Sequence, residues 1–272
     1  MQKNLLLTVS DDPSALFGVR FVNVFFQNKD QIKFTLFFIA PSGQRSSSSV
    51  PDTEGDTCSL ALEKSMHSLI NGGFLQEHIL CKIKKRTVST AKDIITEGNK
   101  GLYDAIILGR RGISRLEELI NDSVSIKVLE GKRKSPIWIC RQIDPNRKNV
   151  LVCLDGSQEA LRMVDHAGFF LSGQSEHKIT LLHVHQESTD PGMIFQQAIN
   201  TLKEHDIDES RVESKVLKSS NVASMIEKEA HAGMFSVVAV GYTGTSKRGV
   251  LTIGSVATQL CYNLTGSALW IG

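Results

Sequence analysis

Short apolar runs alternate along the chain with segments whose apolar positions recur every three or four residues. The pattern is cleanest in the second half. Residues 149–154, NVLVCL, form an apolar run ending in Asp-Gly, which predicts a buried strand. Residues 157–172 place Leu161, Val164 and Gly168 or Phe169 on one face, which predicts a helix. A strand at 179–184 follows, then a helix at 190–204 opened by Pro191 and a short alternating strand at 211–217. The helix predicted at 221–233 has Asn221 as N-cap, apolar Val222, Met225 and Ile226, and Gly233 at its end. Residues 236–240 are almost pure Val and Ala and predict a strand, followed by a helix at 255–264 and a last strand at 267–271. Five strands with crossover helices imply an α/β domain with a doubly wound parallel sheet, because strands this apolar need cover on both faces. Ligands of such sheets bind beyond the carboxyl ends of the strands, where the strand order switches. The residues just after the first and fourth strands are therefore the ones to inspect.

The first half repeats this pattern. Residues 4–40 align without a gap to 149–185, pairing Ala15-Leu16 with Ala160-Leu161, Val19 with Val164 and Phe25 with Phe170. A second block aligns at an offset of 132 instead of 145. It pairs Gly109 with Gly241, Gly112 with Gly244, Ser123-Val124 with Ser255-Val256, and Trp138-Ile139 with Trp270-Ile271. The difference is an insertion in the first half, placed at the polar, Ser-rich stretch 41–56, which reads as a surface loop. The organisation expected is two tandem domains, 1–141 and 147–272, joined by a polar linker at 142–148.

Composition changes this picture little. Hydrophobic residues make up 41% and charged residues 22%, which excludes a wholly disordered chain. Lys+Arg 31 against Asp+Glu 29 leaves +2, so no global charge draws the chain to nucleic acid or to an acidic membrane. The five cysteines, at 58, 81, 140, 153 and 261, are odd in number and none is in C-x-x-C spacing. That supports neither a disulfide framework nor a zinc ribbon, and suits reduced thiols in a cytoplasmic protein. Cys153 reads as a small core residue. The N-terminal apolar run is too short for a signal peptide, and no run of 18 apolar residues is present.

The chemistry concentrates in Gly241-Tyr-Thr-Gly244, nine residues, then Gly254-Ser255-Val256. A glycine after a strand allows a tight turn and a close backbone approach. A helix opening at Gly254-Ser255 turns unpaired N–H groups and its positive dipole end outward, which suits an anion, and the Ser255 hydroxyl can cap the helix or donate to phosphate. This pattern, at the end of a five-strand α/β domain, resembles the universal stress protein family in its tandem form, over essentially the whole chain. The resemblance implies a Rossmann-like fold of the adenine nucleotide alpha hydrolase-like kind. It implies ATP as ligand, with Mg2+ as its companion ion. Carried over by position, Asp155 contacts the nucleoside and Val184 contacts adenine through its backbone. Val240, Gly241, Gly244, Gly254, Ser255 and Val256 hold ribose and phosphates.

The first domain departs from the pattern twice. Ser10 stands in place of Asp155, with Asp11 one residue late, and Asp122 stands in place of Gly254. Asp122 adds a side chain and a negative charge where phosphate must approach, and Asp can itself cap the helix. Gly109, Gly112 and Ser123 are retained, and Arg110 and Arg111 read as solvated or as neutralising Asp122. His183 and His185, two apart on one strand face, lack a third metal ligand nearby and read as packed or surface side chains. The basic run 82–86 reads as a solvated edge strand. No P-loop and no G-x-S-x-G elbow occurs. Residues 245–253 offer Lys247 and Arg248 but no carboxylate, so no catalytic residue is assigned. The expectation is a nucleotide-dependent stress-response module with an unidentified protein partner, no nucleic acid and no membrane. A slow ATPase or autophosphorylating enzyme is the alternative. The matching last strands, 135–139 and 267–271, suggest an internal pseudo-dimer through antiparallel contact, with a further homodimer open.

Overall fold

The computed structural model describes residues 1–40, 53–110, 124–185, 191–244 and 253–272, with the backbone alone for 53–59. The chain divides into two compact units, Met1–Arg141 and Gln142–Gly272. The first unit runs β1 (Lys3–Val9), α1 (Leu16–Phe25), β2 (Ile32–Ala40), α2 (Thr53–Asn71), β3 (Ile79–Lys85), α3 (Thr90–Lys100), β4 (Ala105–Gly109), α4 (Val124–Glu130) and β5 (Ile137–Cys140). The second runs β6 (Asn149–Leu154), α5 (Gln158–Leu171), β7 (Ile179–His185), α6 (Gly192–Lys203), β8 (Val212–Lys218), α7 (Val222–Ala232), β9 (Phe235–Val240), α8 (Ser255–Asn263) and β10 (Ala268–Ile271).

Each unit has a parallel five-stranded sheet. The order is β3-β2-β1-β4-β5 in the first and β8-β7-β6-β9-β10 in the second. The chain steps outward twice, returns past its first strand and continues the other way. Right-handed crossovers then put the first two helices on one face and the last two on the other, and α1 packs with α2, α3 with α4, α5 with α6 and α7 with α8. The central strands β1, β4, β6 and β9 are almost wholly buried because both faces are covered. Helix starts follow the capping residues. Ser157 accepts from the Ala160 N–H at 3.1 Å and Asn221 from the Ser224 N–H at 3.0 Å.

Corresponding positions make similar aromatic contacts in the two cores. In the first unit Phe21 meets Trp138 edge-on at 6.0 Å. In the second, His166 takes the place of Phe21 and meets Trp270 edge-on at 5.6 Å. Burial lowers the His166 pKa to about 3, so at neutral pH the ring packs as an uncharged aromatic.

Several sequence expectations need correction. The buried stripe of α5 is Ala160, Met163, Val164, Ala167, Phe170 and Leu171, with Leu161 and Phe169 only half-buried at its margin. The expected loop 41–56 is helical from Thr53 onward, and 41–52 lie outside the described residues. The polar stretch 142–148 is not a free linker. Ile143 bridges to Gly266, and buried Arg147 donates to the Ser267 Oγ at 2.9 Å and meets the His231 Nδ1 at 3.0 Å. A guanidinium supplies donors enough to dock an otherwise polar segment onto its unit. The basic run lies on edge strand β3, but two of its lysines are paired rather than merely solvated: Lys82 with Glu97 at 2.8 Å and Lys84 with Asp93 at 2.7 Å. Arg110 is 7% exposed, which overturns its reading as solvated. Gly112, Arg111, Asp122 and Ser123 lie outside the described residues.

Candidate functional site

In the second unit the switch point lies between β6 and β9, which pair in parallel. β6 ends at Leu154, and the chain leaves through Asp155 and Gly156, whose φ of +81° favours glycine. Asp155 Oδ1 accepts from the Ser157 N–H at 2.9 Å, which fixes the carboxylate at the end of the strand. β9 ends at Val240, and Gly241 to Gly244 turn back toward β6. A Cβ added at Gly244 would lie 2.8 Å from Asp155 Oδ2, so the two strand ends meet at the carboxylate.

The three glycines of this region serve different purposes. A Cβ at Gly241 would lie 2.9 Å from the Ala160 N and 3.1 Å from the Glu159 carbonyl carbon. The first turn of α5 therefore uses the missing side chain, a packing reason the sequence reading assigned to ligand approach. Gly254 has φ −67°, and a Cβ there would meet its nearest atom, the Tyr242 carbonyl oxygen, at 3.3 Å. Neither backbone conformation nor severe crowding by the protein demands glycine at this place. Gly254 is the N-cap of α8 and donates its own N–H to the Tyr242 carbonyl at 2.8 Å. No side chain caps α8, so Ser255 is its first helical residue and does not take the capping role that the sequence allowed it. Gly254, having no side chain, offers no cap to the first-turn N–H groups of Ser255, Val256 and Ala257.

All eight residues singled out from the sequence, Asp155, Val184, Val240, Gly241, Gly244, Gly254, Ser255 and Val256, line one cavity of about 200 Å³. Its walls include Leu182, Val222 and Ile226. Val184 lies just past the end of a ladder: β6 and β7 pair only as far as Leu154 with His183, while β7 and β8 continue to His185 with Lys218. The His185 carbonyl accepts from the Ser219 N–H on the β8 side, so by alternation the Val184 carbonyl faces the β6 side, beyond the last pair.

Sequence reading missed Cys153, Thr243, Val222 and Ile226 as lining residues. Val222 and Ile226 were visible as an apolar helix face but were taken for core alone. Cys153 is half-buried and opens onto the cavity rather than sitting in the core. Close packing around the thiol, with the Asp155 charge added, holds its pKa above the ordinary range. The His183 Nδ1 lies 2.8 Å from the Leu154 carbonyl oxygen, and its ring stacks on His185 at 6.0 Å. Among the described residues no group of three or more His, Cys, Asp or Glu side chains could hold a metal ion. Among them, too, no helix is long and apolar enough to cross a membrane. Lys247 and Arg248 lie outside the described residues.

No curated protein matches the sequence at a significant level. A model of the universal stress protein family matches residues 146–267. A solved universal stress protein from Archaeoglobus fulgidus has the same fold with a TM-score of 0.74 at 16% identity, over 98% of this chain and 97% of its own. A putative universal stress protein from Pseudomonas aeruginosa follows with a TM-score of 0.61 at 14% identity, over 99% of this chain and 92% of its own. The second unit thus matches the model of the universal stress protein family, and the full length of the chain has the fold of solved universal stress proteins.

Proposed function

We propose that the second unit binds an adenine nucleotide, ATP in the first place, and that the chain acts as a nucleotide-dependent regulatory module of the stress response. The observation that carries this reading is the convergence of residues from separate segments of sequence on one cavity. There the Asp155 carboxylate faces Gly244, and the start of α8, with glycine at its N-cap, lies on the same wall. Apolar Leu182, Val222 and Ile226 suit the faces of a purine. The Val184 carbonyl is an acceptor for its amino group. Asp155 accepts bonds from ribose hydroxyls, and the α8 N–H groups with the Ser255 hydroxyl receive phosphate. The cavity, about 200 Å³, is below the roughly 300–1,000 Å³ of pockets for drug-sized ligands. It therefore encloses base and sugar, with phosphates emerging along α8. Mg2+ arriving with ATP would neutralise phosphate charge, and the Ser255 hydroxyl beside the phosphates is the oxygen donor nearest to it in this reading.

Calorimetric titration tests the assignment. Gly254→Asp weakens ATP at least tenfold, about 1.4 kcal/mol, and adenosine less, because the added charge opposes phosphate. Equal losses for both ligands would mean a distorted loop, and an unmodified chain that takes up no adenine nucleotide would overturn the proposal. Turnover of labelled ATP distinguishes the enzymatic alternative.

A further inference from the structure

The edge strand of the first unit is unlike that of the second. β3 is outermost on its side of the sheet, and the Arg86 N–H donates to the Ala40 carbonyl at 2.9 Å. Even-numbered residues of β3 therefore turn their backbone groups toward β2. Successive residues alternate, so Cys81, Ile83 and Lys85 turn their N–H and C=O groups outward. The side chains alternate as well. Lys82 and Lys84 lie on the α3 face, bonded to Glu97 and Asp93, and Cys81, Ile83 and Lys85 lie on the opposite face. Leu80 is 62% exposed and Ile83 56%. The equivalent strand β8 keeps the lysine pair, Lys215 with Glu229 at 2.7 Å, but its one large exposed apolar side chain is Val216, at 42%.

We propose that β3 is a docking edge for an extended segment of a partner protein in which apolar and acidic residues alternate. The segment adds to the sheet as a further strand, bonding through the outward groups of Cys81, Ile83 and Lys85. Charge chooses the occupant. Residues 79–86 carry Lys82, Lys84, Lys85 and Arg86 and no acid, and α3 counters two of these charges. An incoming strand places apolar side chains beside Cys81 and Ile83 on one face. On the other it places carboxylates beside Lys82, which keeps 47% of its side chain exposed. A second copy pairing β3 with β3 would set lysine against lysine, the arrangement that edge lysines oppose.

The test uses the full chain and two labelled, end-blocked octapeptides, one alternating valine with glutamate and one alternating valine with lysine. Fluorescence anisotropy at low salt should show the valine-glutamate peptide binding at least tenfold more tightly. Ile83→Pro removes an outward donor and spares the bonds to β2, a place where an edge strand accepts proline; binding should fall at least tenfold with circular dichroism unchanged. Lys82→Met, which removes the half-exposed cation beside the incoming carboxylates, should weaken it severalfold. No binding at millimolar peptide, equal binding of both peptides, or affinity unaltered in Lys82→Met overturns the proposal. Sedimentation that finds a dimer dispersed by Ile83→Pro overturns it in favour of a second copy on the edge.

Discussion

The two units place a matching glycine where the fourth strand ends, Gly109 in one and Gly241 in the other, but their first strands end differently. In the second unit Gly241 lies against the first turn of α5, and Asp155 holds the end of β6. In the first, Asp12 accepts from the Ser14 N–H at 2.9 Å and caps a 3-10 turn, Pro13–Ala15, that precedes α1. That turn carries the Ser14 carbonyl onto Gly109 so closely that a Cβ there would overlap it. Both glycines are needed for helix-to-strand packing, whether or not a ligand is near. The lesson is that a glycine shared by both repeats says little about binding. The contrast between Ser10 and Asp155, and the backbone at Gly254 that the protein itself does not crowd severely, says more.

Glycine substitutions sharpen that contrast most. Gly109→Ala should destabilise the chain by about 3 kcal/mol and Gly241→Ala by about 2, because backbone atoms must move in each. Gly254→Ala should cost under about 0.5 kcal/mol in stability and show its effect in ATP affinity instead. Denaturant melts and titrations of the three variants check the order, and a Gly254→Ala variant that unfolds as readily as Gly109→Ala would break the comparison.

The next effect follows from a core position where the units differ in chemistry. His166 stays neutral when folded and titrates near 6.5 when unfolded. Above pH 6.5 both states are uncharged and the residue adds no pH dependence. As pH falls below 6.5 the unfolded chain takes up a proton that the folded chain refuses until about pH 3. The second unit should lose about 2 kcal/mol between pH 6.5 and pH 5 from this group. His166→Phe, which copies Phe21, should remove that part of the acid sensitivity in melts at the two pH values.

Asp155→Ala should weaken adenosine and ATP alike, by about tenfold or 1.4 kcal/mol, since the carboxylate is assigned to the sugar end. A loss confined to ATP would move Asp155 to a metal-bridged phosphate role. The smallest effect expected is at the paired lysines that the units share. Lys82→Met and Lys215→Met should each change stability by less than about 1 kcal/mol, because both ion pairs are partly exposed.

Much of this fold is readable from residue order. The almost wholly apolar strand β9 and the N-caps Ser157 and Asn221 mark elements whose starts are set by local chemistry. The site is readable in part. Asp155, Gly244 and Gly254 stand out because each departs from what a plain strand or helix would use. Cys153, Val222 and Ile226 do not, since an apolar residue lining a cavity and one filling a core look alike in sequence. The docking of 142–148 was hidden for the opposite reason. A polar segment reads as linker until a distant partner such as Ser267 or His231 is brought to its arginine.

Nucleotide binding is proposed for the second unit alone. Calorimetric titration of the full chain with ATP tests that most directly. One site per chain, lost or strongly weakened in Asp155→Ala, is the result expected. Two equivalent sites per chain, or one site that persists undiminished in Asp155→Ala, would contradict it.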